Sequence, residues 1–148
     1  MRSPCDPAHL PLLIAEDLDD DYQTVAEAAE RAAVPNPLVR VQTLAEAEAL
    51  VSDAAHGRFG FVLLDLNLPD GMGVDLVRRL RREGAFRTTP IVVFSTSDNP
   101  RDLHALYSAG VNAYHVKALR HRENLDMLAT IFDYWLGSVC LDEPAPPR

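Results

Sequence analysis

The chain lacks most features that would place it in a membrane or on nucleic acid. No apolar run approaches the length needed to cross a bilayer. The first ten residues hold one basic residue, two prolines and no apolar core, so no secretory signal peptide is expected and the cytoplasm is the default compartment. Cysteine is scarce. Cys5 and Cys140 lie near opposite ends without ligand-like spacing, which argues against a zinc site and leads us to expect reduced thiols without a role. Five histidines, His9, His56, His104, His115 and His121, show no metal spacing either. Basic charge is short as well: Lys and Arg total 14 against 22 Asp and Glu, a net charge of −8. Phosphate neutralisation needs a basic surplus, so direct binding to nucleic acid is not expected; an acidic surface suits protein partners.

What is present fits one domain. The 148 residues are 47% hydrophobic and 24% charged, ordinary for a globular protein with a real core. Five short apolar runs alternate with amphipathic stretches: Leu12 to Ala15, Leu38 to Val41, Phe61 to Leu64, Ile91 to Phe94 and Val111 to Val116. Little polar alternation interrupts the middle three, as in strands covered on both faces. Helical patterns are predicted over Tyr22 to Ala33, Leu44 to His56, Val74 to Glu83, Arg101 to Ala109 and about Arg120 to Val139. Asp19, Asp20 and Asp21 can cap the first and Thr43 the second; Gly57, Gly84 and Gly110 close the next boundaries. A flexible N-terminus over 1–10, a domain over 11–140 and a Pro-rich tail over 141–148 are expected, with no second domain.

Strand and helix alternating five times predict an α/β domain with a mostly parallel sheet, whose site lies at the carboxyl ends of its strands. Glu16 and Asp17 follow the first strand, Asp65 the third, Ser95 the fourth and Lys117 the fifth. One acid at a strand end is commonly a solvated loop residue or a cap. Three carboxylates, a hydroxyl and an ammonium reaching one rim are harder to dismiss. Crowded carboxylates repel unless a cation intervenes, and hard oxygen ligands of this number suit Mg²⁺. Asp17 and Asp65 are the expected direct ligands, with Glu16 acting through water and the Asn67 carbonyl as a third. Lys117 supplies a point charge for a phosphoryl group and Ser95 a hydroxyl for one of its oxygens. A carboxylate can serve as the nucleophile toward phosphorus.

The acidic pair Glu16-Asp17, Leu-Leu-Asp-Leu-Asn-Leu-Pro-Asp-Gly around Asp65, Phe-Ser-Thr ending at Thr96, and Tyr114 preceding Lys117 resemble response-regulator receiver domains. The spacings agree, with Ser95 30 and Lys117 52 positions beyond Asp65. The resemblance spans about Leu12 to Leu136. It implies a flavodoxin-like, doubly wound five-stranded parallel sheet and phosphorylation of Asp65 by a sensor histidine kinase. It also implies a metal pocket at Glu16 and Asp17, and a switch pair in Ser95 and Tyr114. Such a protein is a signalling module acting through partners, not an enzyme beyond its own phosphorylation and dephosphorylation. One departure stands out: the family usually has proline after its lysine, and here Ala118 follows Lys117. A cis bond before alanine would cost about 3 kcal/mol, so a trans peptide and an altered approach of Lys117 are expected. That departure keeps open a receiver-like binding module that is not phosphorylated. A Mg²⁺-dependent phosphatase with an aspartyl nucleophile is a further alternative, disfavoured because Asn67 stands where such enzymes carry a second acid.

Pro35-Asn36-Pro37-Leu38, the stretch from Asp65 to Pro69, and Phe132 to Leu136 are similar to the single-domain regulators that work with bacterial phytochromes. That likeness implies a red-light-sensing kinase as donor and a homodimer built with the C-terminal region. In the last helix, Leu125, Leu128, Phe132, Trp135 and Val139 form one stripe and Met127, Ile131 and Tyr134 another. A broad core face and a dimer surface both fit; the expected dimer residues are Ile131, Tyr134, Trp135 and Leu136. Arg78, Arg79, Arg81 and Arg82 are expected to complement a helix dipole in solvent.

Overall fold

The computed structural model describes residues 10–53 and 58–142. Five strands form one sheet: β1 (Leu12–Ala15), β2 (Leu38–Val41), β3 (Phe61–Leu64), β6 (Ile91–Ser95) and β7 (Ala113–Val116). Their order is β2-β1-β3-β6-β7, every pair parallel. A two-stranded antiparallel hairpin, β4 (Asn67–Leu68) with β5 (Gly71–Met72), follows β3 and was not foreseen. The helices are α1 (Asp19–Arg31), α2 (Leu44–Ser52), α3 (Gly73–Arg82), α4 (Pro100–Ala109) and α5 (His121–Asp133). This is the doubly wound, flavodoxin-like α/β architecture that the alternation implied.

Strand side chains alternate faces, so a continuous apolar run supplies two cores. Leu13, Val62, Leu64 and Val93 pack with Leu76, Leu80 and Leu106 on the α2–α4 side. Leu12, Ile14, Phe61, Leu63 and Val92 pack with Val25, Ala28, Leu125 and Phe132 on the α1–α5 side. Phe61 meets Phe132 edge to face at 6.2 Å between ring centroids.

Helix boundaries follow local chemistry. Thr43 caps α2 by accepting from Glu46 N at 3.0 Å. Asp70, at the tip of the β4–β5 hairpin, caps the same helix from outside by accepting from Leu44 N at 2.6 Å and Ala45 N at 2.9 Å. Those two backbone bonds hold the Asp70 carboxyl below its usual range. α2 ends at Ser52, with Asp53 already extended, short of the expected end at His56; residues 54–57, 1–9 and 143–148 lie outside the described residues. Asn99 caps α4, whose N1 position is Pro100, and Gly110 closes it with φ +115°. The α1 acids do not cap. Leu18 occupies that position, and Asp19 to Asp21 sit within the first turn, where they complement the helix dipole.

Three further expectations are corrected. The last helix is not continuous to Val139: it widens into a π-helical turn over Tyr134–Ser138, where Val139 N bonds to Tyr134 O, five residues back. Gly137, a poor helix former, lies in that turn. Arg81 is not a solvated member of a basic patch. It donates to Phe86 O (2.8 Å), Thr89 O (2.7 Å), Gly110 O (2.8 Å) and Asn112 Oδ1 (3.0 Å), pinning α3 to the turn before β7. Cys140 is disulfide-bonded, not a reduced thiol; Cys5 lies outside the described residues.

Candidate functional site

Between β1 and β3 the strand order reverses direction, and in such sheets ligands bind beyond the carboxyl ends of the strands at that point. The backbone carries both strands into the rim: Glu16 N bonds to Val41 O at 3.0 Å and Asp65 N to Ala15 O at 2.9 Å. Lys117 N extends β7 by bonding to Ser95 O at 2.7 Å. The side chains then converge. Lys117 Nζ stands 2.9 Å from Glu16 Oε1, 2.8 Å from Asp21 Oδ2 and 3.2 Å from Asp65 Oδ2. Glu16, Asp65 and the Lys117 side chain are buried, while Asp21 is open to solvent at 37%. The Lys117 ammonium also lies 5.6 Å from the Phe94 ring centroid.

Burial, then the Asp65 charge, pushes the Glu16 carboxyl up to about 7 against the opposing pull of Lys117. For Lys117, burial alone would lower the pKa, but the Asp21 hydrogen bond and the charges of Asp65 and Glu16 outweigh it. The ammonium is held protonated above the ordinary lysine range. Three carboxylates against one ammonium leave an excess of negative charge. Glu16, Asp21 and Asp65 each offer an oxygen, and these lie within 4.8 Å of one another. Hard oxygens so grouped fit a divalent cation.

The expected ligands are distributed differently. Glu16 and Asp65 join this group, but among the described residues Asp21 completes it and Asp17 does not. The backbone carbonyl of Asp17 accepts from Arg40 Nη2 at 3.2 Å. Arg40 Nε reaches the Glu16 carbonyl at 3.0 Å, Nη1 pairs with Asp19 at 2.8 Å, and the guanidinium stacks 4.7 Å from the Tyr22 ring centroid. One β2 side chain thus braces the whole acidic turn. Asn67 is exposed, and its N–H donates to Asp65 Oδ1 at 3.3 Å.

Ser95 is fully buried at the end of β6, where its Oγ accepts from Ser97 N at 3.4 Å. Tyr114 is half-buried on β7 and its hydroxyl donates to Ser97 O at 2.8 Å, tying it to the loop that follows Ser95. Burial pushes that hydroxyl's pKa up. No cis peptide occurs among the described residues, so the Lys117–Ala118 bond is trans. Beside Lys117 lies a cavity of about 560 Å³, lined by Asp20, Asp21, Thr24, Thr96, His121 and Asn124 among others. Of the expected dimer residues, Ile131 is set in the core at 3% exposure, Trp135 and Leu136 pack partly against it, and Tyr134 is 52% exposed.

Sequence reasoning missed Asp21 and Arg40. Asp21 carried a usable signal: with Thr24, Val25 and Ala28 it forms an i, i+3, i+4, i+7 stripe, and the other three are buried. Arg40, alone among apolar neighbours on a strand, carried none beyond being charged.

The chain is 28% identical over 134 residues to response regulator Rcp1 of Synechocystis sp., covering 88% of this chain and 91% of that protein. The phosphorylated cyanobacterial phytochrome response regulator RcpA superposes with a TM-score of 0.85 at 29% identity, covering 91% and 99% of the two chains. The Mn²⁺-bound form of Rcp1 gives 0.82 at 28% identity, covering 90% and 99%. No described helix is long and apolar enough to cross a membrane. Residues 13–129 match the response regulator receiver domain, and the chain belongs to that family.

Proposed function

We propose that this receiver domain accepts a phosphoryl group on Asp65 from the phosphohistidine of a sensor histidine kinase and signals through protein contacts. The observation that carries the reading is Lys117 Nζ held within 2.8–3.2 Å of three carboxylates, Asp65 among them. One Asp65 oxygen attacks phosphorus; an O–P bond forms as the P–N bond breaks. The departing imidazole keeps that electron pair and takes up a proton. Lys117, protonated throughout, can exchange a carboxylate partner for a phosphoryl oxygen, and the Ser95 hydroxyl can donate to another. Tyr114 then follows the Ser95 loop through its bond to Ser97. Asp65, Asp17, Glu16 and the Asn67 carbonyl are assigned to a Mg²⁺ ion, with Asp21 added by its place in the acidic group. Bound magnesium supplies neutralisation of the phosphoryl charge.

The likeness to RcpA and Rcp1 supports a phytochrome kinase as donor, and with it a cytoplasmic place of work. Tyr134, packed edge to face on Trp135 at 5.2 Å, supports a homodimer through the exposed side of the π-helical turn, with Leu136 beside it. Sedimentation of Trp135→Ala against the parent tests this; a parent that sediments as a monomer removes it.

The principal test is incubation with Mg²⁺ and acetyl phosphate, read by intact mass. An acid-stable, base-labile gain in the parent, absent in Asp65→Asn, is expected. A gain that persists in Asp65→Asn excludes Asp65 as acceptor, and none in the parent favours an unphosphorylated binding module.

A further inference from the structure

Lys117 is the only lysine in the chain; the other thirteen basic residues are arginines. It sits one residue beyond β7, at the start of a loop that runs to α5, and the next residues offer little burial to hold it. Leu119 is fully exposed and Arg120 is exposed too. Ala118 is held differently. Its N–H donates to Asn124 Oδ1 at 2.7 Å, and its carbonyl accepts from Asn124 Nδ2 at 3.0 Å. One side-chain amide therefore takes both polar groups of Ala118, fixing the peptide planes on either side of that residue. Asn124 is itself anchored, since its own N–H bonds to Arg120 O at 3.2 Å in the first turn of α5. The arrangement requires a residue with an N–H at position 118, which a proline there would not supply.

We infer that Asn124 is a positioning residue: by clamping Ala118 to the start of α5 it aims the Lys117 side chain into the Glu16–Asp21–Asp65 pocket. The ammonium is correctly placed only if the backbone it hangs from is fixed. The strand bond to Ser95 fixes one side of Lys117, and the Asn124 amide fixes the other. The clamp takes over the local stiffening that a proline ring would provide through its locked φ. The inference deepens the phosphoryl-acceptor reading and rests on it for its consequence, but its geometry can be tested without phosphoryl transfer.

The ε-amine gives the probe. The metal-free protein is treated with an N-hydroxysuccinimide acetate ester well below its melting temperature. Acylation of Lys117 is followed by peptide mass spectrometry, with the α-amine as the rate standard. In the parent Lys117 should acylate slowly. Asn124→Ala should raise its rate about tenfold, and Asn124→Asp, which keeps the acceptor for Ala118 N–H but not the donor, by a smaller factor. Ile131→Val, which loosens α5 in the core away from the loop, should leave the rate at the parent value. In the acetyl phosphate reaction, Asn124→Ala should slow labelling of Asp65 by a similar factor. Should Asn124→Ala not fold, Asn124→Asp carries the comparison. Parent-like acylation in every Asn124 variant that folds overturns the inference, as does an equal rise in Ile131→Val. A parent that never labels on Asp65 removes the acceptor reading and leaves the acylation comparison standing.

Discussion

Lys117 Nζ lies 3.2 Å from Asp65 Oδ2 although the two residues are 52 positions apart in the chain. The pair joins the ends of β3 and β7, across the intervening strand β6. A buried ammonium among buried carboxylates is a commitment of charge: either partner alone would be costly. Lys117→Ala should therefore lower the stability of the metal-free protein by about 3 kcal/mol at pH 8, measured by urea unfolding. Adding Mg²⁺ should recover part of that loss, because the cation then neutralises the same acids. A variant as stable as the parent without metal would show that Lys117 does not offset these charges.

Glu16 gives the molecule a pH dependence with a definite sign. Its carboxyl is pushed up to about 7 in the folded protein, above the ordinary glutamate value of 4.5. Between those values the folded state binds more protons than the unfolded state, so stability falls as pH rises through the window. Metal-free protein should be more stable at pH 5 than at pH 8 by on the order of 2 kcal/mol from this group. Glu16→Gln should flatten that part of the profile. Thermal melts across the range, parent against variant, would falsify the assignment if their slopes were the same.

Arg40 donates to the carbonyls of both Glu16 and Asp17 and so sets the direction of the turn that carries the acids. Arg40→Met keeps much of the aliphatic stem and loses every one of those bonds. Divalent-ion affinity should fall roughly tenfold, the usual scale for losing a residue that orients metal ligands. Titration calorimetry with Mn²⁺ reads this directly, and an unchanged affinity would leave Arg40 as packing only.

Arg81 is the matching case away from the site. Its guanidinium binds backbone carbonyls of Phe86, Thr89 and Gly110. Arg81→Met should cost about 3 kcal/mol through the acceptors it strands. Mn²⁺ affinity in the folded variant should match the parent, so the two arginines separate stability from binding.

Much of the fold was legible because its cause is local. Leu12–Ala15 and Phe61–Leu64 are strands over the ranges their apolar runs announced, since both sheet faces are covered there, and the partly buried edge strand Leu38–Val41 matches its run too. The fifth strand begins at Ala113, not Val111, because Asn112 turns its side chain to accept from Ile91 N at 2.8 Å. The hairpin over Asn67–Leu68 and Gly71–Met72 left no pattern, as two-residue strands are too short for periodicity. That Glu16, Asp65 and Lys117 meet was readable from strand ends and spacing. Asp21 was passed over because three consecutive acids at a helix start already have an explanation in the helix dipole, although the stripe it shares with Thr24, Val25 and Ala28 points inward. Arg81 and Asn124 act through backbone carbonyls and amides distant in the chain or folded back on it, and no residue pattern encodes such partners.

The tip of the hairpin beyond Asp65 carries a consequence for motion. Asp70 accepts from the first two amides of α2, a helix without a basic residue in its last turn. Any rearrangement that drags the segment after Asp65 must also loosen that grip, and the opening turn of α2 would fray before its core contacts yield. Deuterium uptake at Leu44 and Ala45 is therefore a gauge of tension in the neighbouring loop, readable at a distance from the charge that causes it.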